Sequence, residues 1–299
     1  MKKGFVLITT LAFLSILAAN AFLFTEFIKL RAQLQHSQDA RFFVEKLARA
    51  GISAGESILL MDNNSYDWYS DIWVKQKHLE FPEGSVDIAI EPIDTRFNIN
   101  SIINKDKSFN SQAQTIFSNL LSVMGFPSSL LDALLDWLDS DDFPRVFGAE
   151  SEYYTTLSPP YRPSNGPLSD ISELAYIKGF TPEILKPAGE TRGLLDLLTI
   201  FSDNKINVNM ADPIILQSLG YPTSSVEKIL NERELRPLTM NILMRIDRQT
   251  TASLTRVIKF SSSFFRITSQ AKSGNAVCVQ SLLVQRAGNK ITRLRWERE

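Results

Sequence analysis

The residues best placed to do chemistry in this chain are carboxylates. Between Asp132 and Glu173 stand nine of them (Asp132, Asp136, Asp139, Asp141, Asp142, Glu150, Glu152, Asp170 and Glu173), opposed by Arg145 and Arg162, for a local net charge of -7. Five of the nine, Asp139, Asp141, Asp142, Glu150 and Glu152, crowd a stretch that reads as loop and also holds a Pro and a Gly. Carboxylates on such a loop suit a hard cation: calcium takes six to eight oxygens in flexible geometry, and backbone carbonyls complete the shell. The spacing is not that of an EF-hand loop. A solvated acidic loop with helix caps accounts for the same residues, and Asp170 stands where it would cap a helix beginning at Ile171. Paired carboxylates also serve acid–base or two-metal hydrolysis. Neither a nucleophile–base pair nor a phosphate-binding glycine loop accompanies them, so the chain is expected not to be an enzyme.

The remaining composition narrows the chemistry further. Only two histidines occur, His36 and His78, 42 positions apart, so there is no HExxH motif and a histidine-based triad is disfavoured. Cys278 is the single cysteine, which excludes an intramolecular disulfide and a cysteine-built zinc site. It falls in an alternating strand and reads as a buried small apolar residue. Lys and Arg total 32 against 33 Asp and Glu, a formal net charge of -1, which argues against broad nucleic-acid binding. At 299 residues and 44% apolar content, the chain has enough material for one or two domains with a true core.

Ile206-Asn207-Val208-Asn209, with Ala211, Leu216, Leu219-Gly220 and Ile229-Leu230-Asn231-Glu232-Arg233, resembles a helix-hairpin-helix unit near 203–233. In DNA-binding versions a glycine-rich hairpin offers backbone N–H groups to phosphates. Here the hairpin is Gly220-Tyr221-Pro222, and a proline has no N–H to donate. Eight bases against six acids between 203 and 259 give only weak attraction to a polyanion. A small helical unit used for packing or protein contacts is the favoured reading, with the Asn residues as turns and caps. DNA binding through this unit, as in a competence system, is the alternative.

The elements that would position these residues begin with an apolar segment. Lys2-Lys3-Gly4 precede an apolar run from Phe5 to Phe24, and no charge appears until Glu26. At about 1.5 Å per residue this run spans a hydrocarbon core of roughly 30 Å. Under the positive-inside rule the lysines stay cytoplasmic and the bulk of the chain lies beyond the membrane. The junction Gly4-Phe5 looks like the class III signal of type IV pilins and pseudopilins. That resemblance implies a leader of residues 1–4 cut by a prepilin peptidase after Gly4, with N-methylation of Phe5. The fifth mature position, Glu in most pilins, is Thr9 here, a departure that suits a subunit at the tip of a filament.

Helix-compatible sequence continues to about residue 60, giving a helix over 5–60 whose first part, 5–25, spans the membrane. Phe43, Leu47, Ala50, Ala54 and Ile58 form a stripe that would face a sheet, and Gly51 and Gly55 read as points of close packing on it. Ser85 to Glu91 alternates as a half-buried strand, and a second extended piece is expected at Arg96–Asn100. Phe264 to Ala271, Ala276 to Arg286 and Lys290 to Trp296 read as an antiparallel meander with tight turns between them. Residues 105–258 read as helical throughout, with Ile116, Leu120, Leu121 and Met124 on one stripe. Leu130, Leu131, Leu134, Leu135 and Leu138 form another after the start signal Pro127-Ser128-Ser129. The expectation is an α+β fold: a pilin-like helix on an antiparallel sheet made from 61–104 and 259–299, with an all-α domain, 105–258, inserted between strands.

This layout resembles the K-type minor pseudopilins of type II secretion. The residues that carry the resemblance, beyond the N-terminus, are Arg96-Phe97-Asn98-Ile99-Asn100, Leu134 to Asp142, Pro159 to Leu168 with Asp170 and Ser172-Glu173-Leu174, and Ile206 to Ala211, in that order. The resemblance implies a structural subunit at the pseudopilus tip that nucleates assembly and supports export across the outer membrane. It implies an inner-membrane anchor with a periplasmic head, and calcium as cofactor in the inserted domain. The implied partners are other minor pseudopilins, the prepilin peptidase and, for the exposed head, secreted substrate or the outer-membrane secretin. Nucleic acid is not an expected partner.

Overall fold

The computed structural model describes residues 2–62, 65–187, 189 and 192–298. It opens with α1 (Lys2–Met61), one continuous helix, followed by β1 (Lys77–Phe81), β2 (Gly84–Pro92) and the short β3 (Phe97–Asn98). The middle of the chain holds α2 (Ser111–Val123), α3 (Ser129–Leu138), α4 (Ser151–Thr155), a 3-10 turn at Ile171–Tyr176, α5 (Pro182–Leu185) and α6 (Leu194–Leu197). After the two-residue strands β4 (Leu198–Thr199) and β5 (Ile206–Asn207) come α7 (Pro213–Ser218), α8 (Thr223–Leu235), α9 (Met240–Ile246) and α10 (Arg248–Ser253). The two-residue β6 (Ile258–Lys259) and the meander β7 (Phe264–Ser273), β8 (Ala276–Ala287) and β9 (Lys290–Arg298) end the chain.

The fold is α+β. The sheet has the order β1-β2-β7-β8-β9, antiparallel throughout. The strands β2 and β7 are neighbours in this sheet yet more than 170 positions apart in sequence, and nearly all the helices after α1 lie between them. The meander follows from alternation and from Gly274 and Gly288, whose φ of +53° and +55° gives each tight turn the left-handed residue it needs. The strand β1 was not anticipated: its burial pattern is exposed at four of five positions, so no alternation marks it.

The C-terminal half of α1 packs across β2, β7 and β8. The buried face is Val44, Ala48, Gly51, Ile52, Gly55 and Leu59. This corrects the expected stripe by about one residue: Phe43, Leu47, Ala54 and Ile58 are only half-buried, and Ala50 is exposed. The glycines set the face, because the helix approaches the sheet most closely where no Cβ intervenes. The aliphatic side chains expected to face the sheet flank that line of approach instead.

Residues Leu7–Ala32 form a segment of mean hydropathy 2.1 with none of it buried in the protein, long and apolar enough to cross a membrane. Thr9 lies in this segment and its hydroxyl donates to the Phe5 carbonyl one turn back.

A second core lies in the insert. It joins Ile116, Phe117, Leu120, Leu134, Leu138, Leu174 and Ile215 with residues on both flanks, including Phe97, Ile99 and Ile102 before position 105. The insert is not helical throughout. Parallel two-residue ladders, β3 with β4 and β5 with β6, tie its segments together, and extended chain fills much of 139–170. Side-chain amides replace regular ladders there: Asn100 Nδ2 donates to the Leu168 carbonyl (2.9 Å) and its Oδ1 accepts from the Leu168 N–H (2.8 Å).

Candidate cation site and the seam of the insert

The helix α3 is short and apolar on nearly every side, with Leu134, Leu135, Asp136, Trp137 and Leu138 all buried. A carboxylate within such a run must find a partner, since desolvating it alone is costly. Asp136 is fully buried, and Arg145, from the loop that follows, donates to it through both its guanidinium and its backbone N–H. The same Nη1 reaches Asp139 at 2.7 Å. Gly148 makes room for the arrangement: a Cβ there would stand 1.8 Å from Asp136 Oδ2.

Glu150 completes the group. One oxygen each from Asp136, Asp139 and Glu150 lies within 4.8 Å of the others, and all three residues are buried. Glu150 is 3% exposed, and neither of its carboxylate oxygens accepts a hydrogen bond. One Asp139 oxygen is likewise buried without a donor. Burial, and behind it the charges of Asp136 and Asp139, push the Glu150 carboxyl up to about 7. Burial also raises Asp139, against the opposing pull of Arg145. Arg145 pairs with Asp136 and Asp139, and Glu150 lies against them in the same buried pocket with neither oxygen bonded. Orphaned acceptors and oxygen-only donors fit a hard divalent cation.

Of the set expected from the sequence, the structure brings Asp139 and Glu150 together with Asp136, whereas Asp141, Asp142 and Glu152 are exposed away from that group. Past Asp139 the chain swings to the surface, where Asp141 Oδ1 accepts from the Phe143 N–H (2.9 Å) and closes a local turn. Phe143, Val146 and Phe147 project from the tip of this loop into solvent. Asp136 falls outside the expected ligand set because it sits within the leucine run of α3, but a carboxylate set between Leu134, Leu135, Trp137 and Leu138 is itself the signal.

Asp170 does what the capping argument foresaw. It accepts from the Ser172 N–H, and Glu173 reaches back to the Asp170 N–H. It also pairs with Arg295 of β9. These hydrogen bonds, Ser172 first and Arg295 after it, hold the Asp170 carboxyl down to about 2. Cys278 is half-buried in β8.

The hairpin at Gly220 turns inward. Its φ of +99° suits glycine, but the Gly220 N–H donates to Gln217 O (2.9 Å) and the Tyr221 N–H to Leu216 O (3.4 Å). Tyr221 is 2% exposed and its hydroxyl hydrogen-bonds Thr251 at 2.9 Å. Both N–H groups are spent within the fold, as packing requires and phosphate binding does not. Asn207 and Asn209 are fully buried and reach beyond their own turn: Asn207 Nδ2 donates to Asp67 (2.7 Å) and Ser262 (2.8 Å), and Asn209 Oδ1 accepts from the Leu238 N–H (2.7 Å).

Comparison with known proteins places this geometry among relatives. Residues 95–188 match the family model of type II secretion system protein K. The type II secretion system protein K of Pectobacterium carotovorum subsp. carotovorum is 24% identical over 244 residues, 72% of this chain and 71% of that protein. A putative protein K from Escherichia coli strain K12 is 26% identical over 227 residues, 70% of this chain and 65% of that protein. A chain in the crystal structure of the GspK-GspI-GspJ complex from the type 2 secretion system of enterotoxigenic Escherichia coli has the same fold. Its TM-score is 0.70 at 18% identity, over 91% of this chain and 99% of that one. In sequence and in fold the chain is similar to the K-type minor pseudopilins, as the four internal stretches imply.

Proposed function

We propose that this chain is a minor pseudopilin of a type II secretion system, placed at the tip of the pseudopilus, where it nucleates assembly and supports export across the outer membrane. The observation that carries the reading is the continuity of α1: one helix runs from an apolar segment with no contact to the rest of the protein into a glycine-lined face packed on the sheet. Such a helix can pack beside the helices of neighbouring subunits in the bilayer while holding a folded head outside it. The resemblance to protein K supplies the system, and the complex in which the structural relative was solved supplies the class of partner, other minor pseudopilins.

Tip placement rests on two features. The insert broadens the head, and a broad head is harder to accommodate in a shaft than at an end. Thr9 satisfies its own hydroxyl within the helix, so it needs no amine from an earlier subunit, as a glutamate in hydrocarbon would. In this reading the prepilin peptidase cuts between Gly4 and Phe5, the helix stays in the inner membrane with the head in the periplasm, and the head meets secreted substrate or the secretin.

Calcium belongs to the same reading. Asp136, Asp139 and Glu150 would hold it, with Arg145 as the fixed counter-charge beside them. When bound it supplies positive charge to oxygens that otherwise lack partners.

Mass spectrometry of the mature protein purified from membranes tests the assignment. An N-methylated Phe5 at the new terminus is the expected result. An intact Met1, or a cut well inside the helix, overturns it.

A further inference from the structure

A cleft lies on the face of the sheet opposite α1. Along β7, Phe265 and Ile267 belong to the cluster that α1 covers, so Arg266 between them points to the other side. Leu283 does the same on β8, between Leu282 and Val284. The insert brings Leu195 and Asp196 of α6 and Leu198 of β4 against this face, and a cavity of about 440 Å³ remains between the two. That volume falls within the range of small-ligand sites, roughly 300–1,000 Å³. Its floor is apolar, with Ile93, Leu198 and Leu283 all buried.

Arg96, Arg266 and Arg295 all reach this cavity, but they are not equivalent. Arg266 Nε donates to Glu297 (3.1 Å), and Arg295 pairs with Asp170. The Arg96 side chain is only 25% exposed, yet its guanidinium donates no hydrogen bond to any of the described residues. Glu91 stands 3.8 Å away, beyond hydrogen-bond reach, and Asp196 Oδ2 accepts instead from the Gly193 N–H (3.0 Å). Burial, and behind it the charge of Arg266, hold the Arg96 guanidinium below the usual arginine range. A guanidinium offers a planar fork of donors that matches a carboxylate through two parallel hydrogen bonds. The neighbouring residues of the same stretch are spent inside the fold: Asn98 caps the turn that follows it and Asn100 pairs with Leu168. Arg96 alone is left turned toward the cavity with its donors unused.

We propose that this cleft binds a small apolar carboxylate, with its oxygens on the Arg96 guanidinium and its hydrocarbon part against Ile93, Leu195 and Leu283. Both halves of that description are needed. An uncharged apolar molecule leaves the guanidinium without an acceptor, and a bare inorganic anion leaves the apolar floor uncovered. The walls come from the sheet on one side and the insert on the other, so a bound molecule touches both. The site stands apart from the carboxylates around Asp136 and from the secretion reading, and neither is needed for it.

Ligand-observed NMR titration of the full chain in non-ionic detergent tests it, with N-acetyl-leucine at neutral pH as the probe and protein-free micelles as the blank. The probe should bind at millimolar concentration. N-acetyl-leucinamide, which lacks the charge, and acetate, which lacks the apolar part, should each bind about tenfold more weakly or worse. Arg96→Gln should weaken binding of the probe by a similar factor. If Arg96→Gln fails to fold by circular dichroism, Arg96→Lys, which keeps the charge and loses the planar fork, should still weaken it measurably. No binding above the micelle blank, equal binding of acid and amide, or binding indifferent to the Arg96 substitutions overturns the proposal. Inorganic phosphate that displaces the probe at equal concentration also overturns it, because the cleft would then hold any oxyanion without regard to its apolar part.

Discussion

Gly51 of α1 lies directly over Ser269 of β7, so close that a Cβ on the glycine would stand 2.1 Å from the serine Oγ and 2.9 Å from a Val86 methyl. One turn on, a Cβ on Gly55 would stand 2.5 Å from a methyl of Ile267. Helix and sheet therefore meet along a line where side chains are missing, and the membrane helix is welded to the head there. In isolation a glycine weakens a helix by about 1 kcal/mol relative to alanine, so the contact must return more than that.

Gly51→Ala is accordingly expected to destabilise the head, by about 1–3 kcal/mol from overpacking, despite its better helix propensity. The Ser269 hydroxyl is buried without a hydrogen-bond partner, so Ser269→Ala should be neutral or stabilising. In the double variant the smaller residue makes room for the new methyl and should recover part of the loss. Chemical denaturation of the four proteins measures the coupling directly; strictly additive effects would refute the steric account.

Glu150→Gln should act in opposite directions with and without calcium. In chelator it removes a buried carboxylate that no donor satisfies and should raise the melting temperature. In calcium it removes a ligand and should shrink the stabilisation that the wild type gains, which for a ligand at a hundred times its Kd is about 2.7 kcal/mol. Melting curves of both proteins in calcium and in chelator read the crossing. A wild type whose melting temperature ignores both additions would dismiss the cation at this site.

Much of this architecture was legible because it obeys short periods. The alternation of Val86, Ile88 and Ile90 marks β2, and all three are buried. The hairpins of the meander follow from glycines placed between alternating segments. The stripes on α2 and α3 fall where the core lies, except for the half-buried Met124 and Leu131. What escaped depends on partners far off in sequence. The strand β1 exists because β2 offers it an edge, not because KHLEF alternates. The buried face of α1 is decided by where glycines let the sheet approach. Two of the three clustered carboxylates, Asp139 and Glu150, were readable from loop composition, but Asp136 required knowing that Arg145, nine positions on, folds back over α3.

Asn100 is expected to matter more than its surface neighbours. Its amide pairs with both backbone groups of Leu168, which is buried. Asn100→Ala strands one donor and one acceptor together, each worth about 1–3 kcal/mol when buried and unpaired. Stability should fall by that order, and amide exchange at Leu168 should quicken well before global unfolding. Unchanged exchange at Leu168 would mean that the loop is held from elsewhere.

The last prediction concerns acid. Asp170 links the insert to the frame: it caps the 3-10 turn through Ser172 and pairs with Arg295 of β9. Its carboxyl is held down to about 2 in the folded protein, from the ordinary aspartate value of 3.8. A group whose folded value is depressed binds protons more weakly when folded than when unfolded, so acid favours unfolding. The stabilisation is therefore complete above about pH 4 and is lost as the pH falls from there toward about 2. Asp170→Asn removes the titrating group and leaves a capping oxygen, so this variant should be less stable than wild type at neutral pH and converge on it in acid. Denaturant midpoints measured from pH 7 down to pH 2 trace the two curves. A gap that stays constant through that range would show that the Asp170 charge does not help hold the insert against β9.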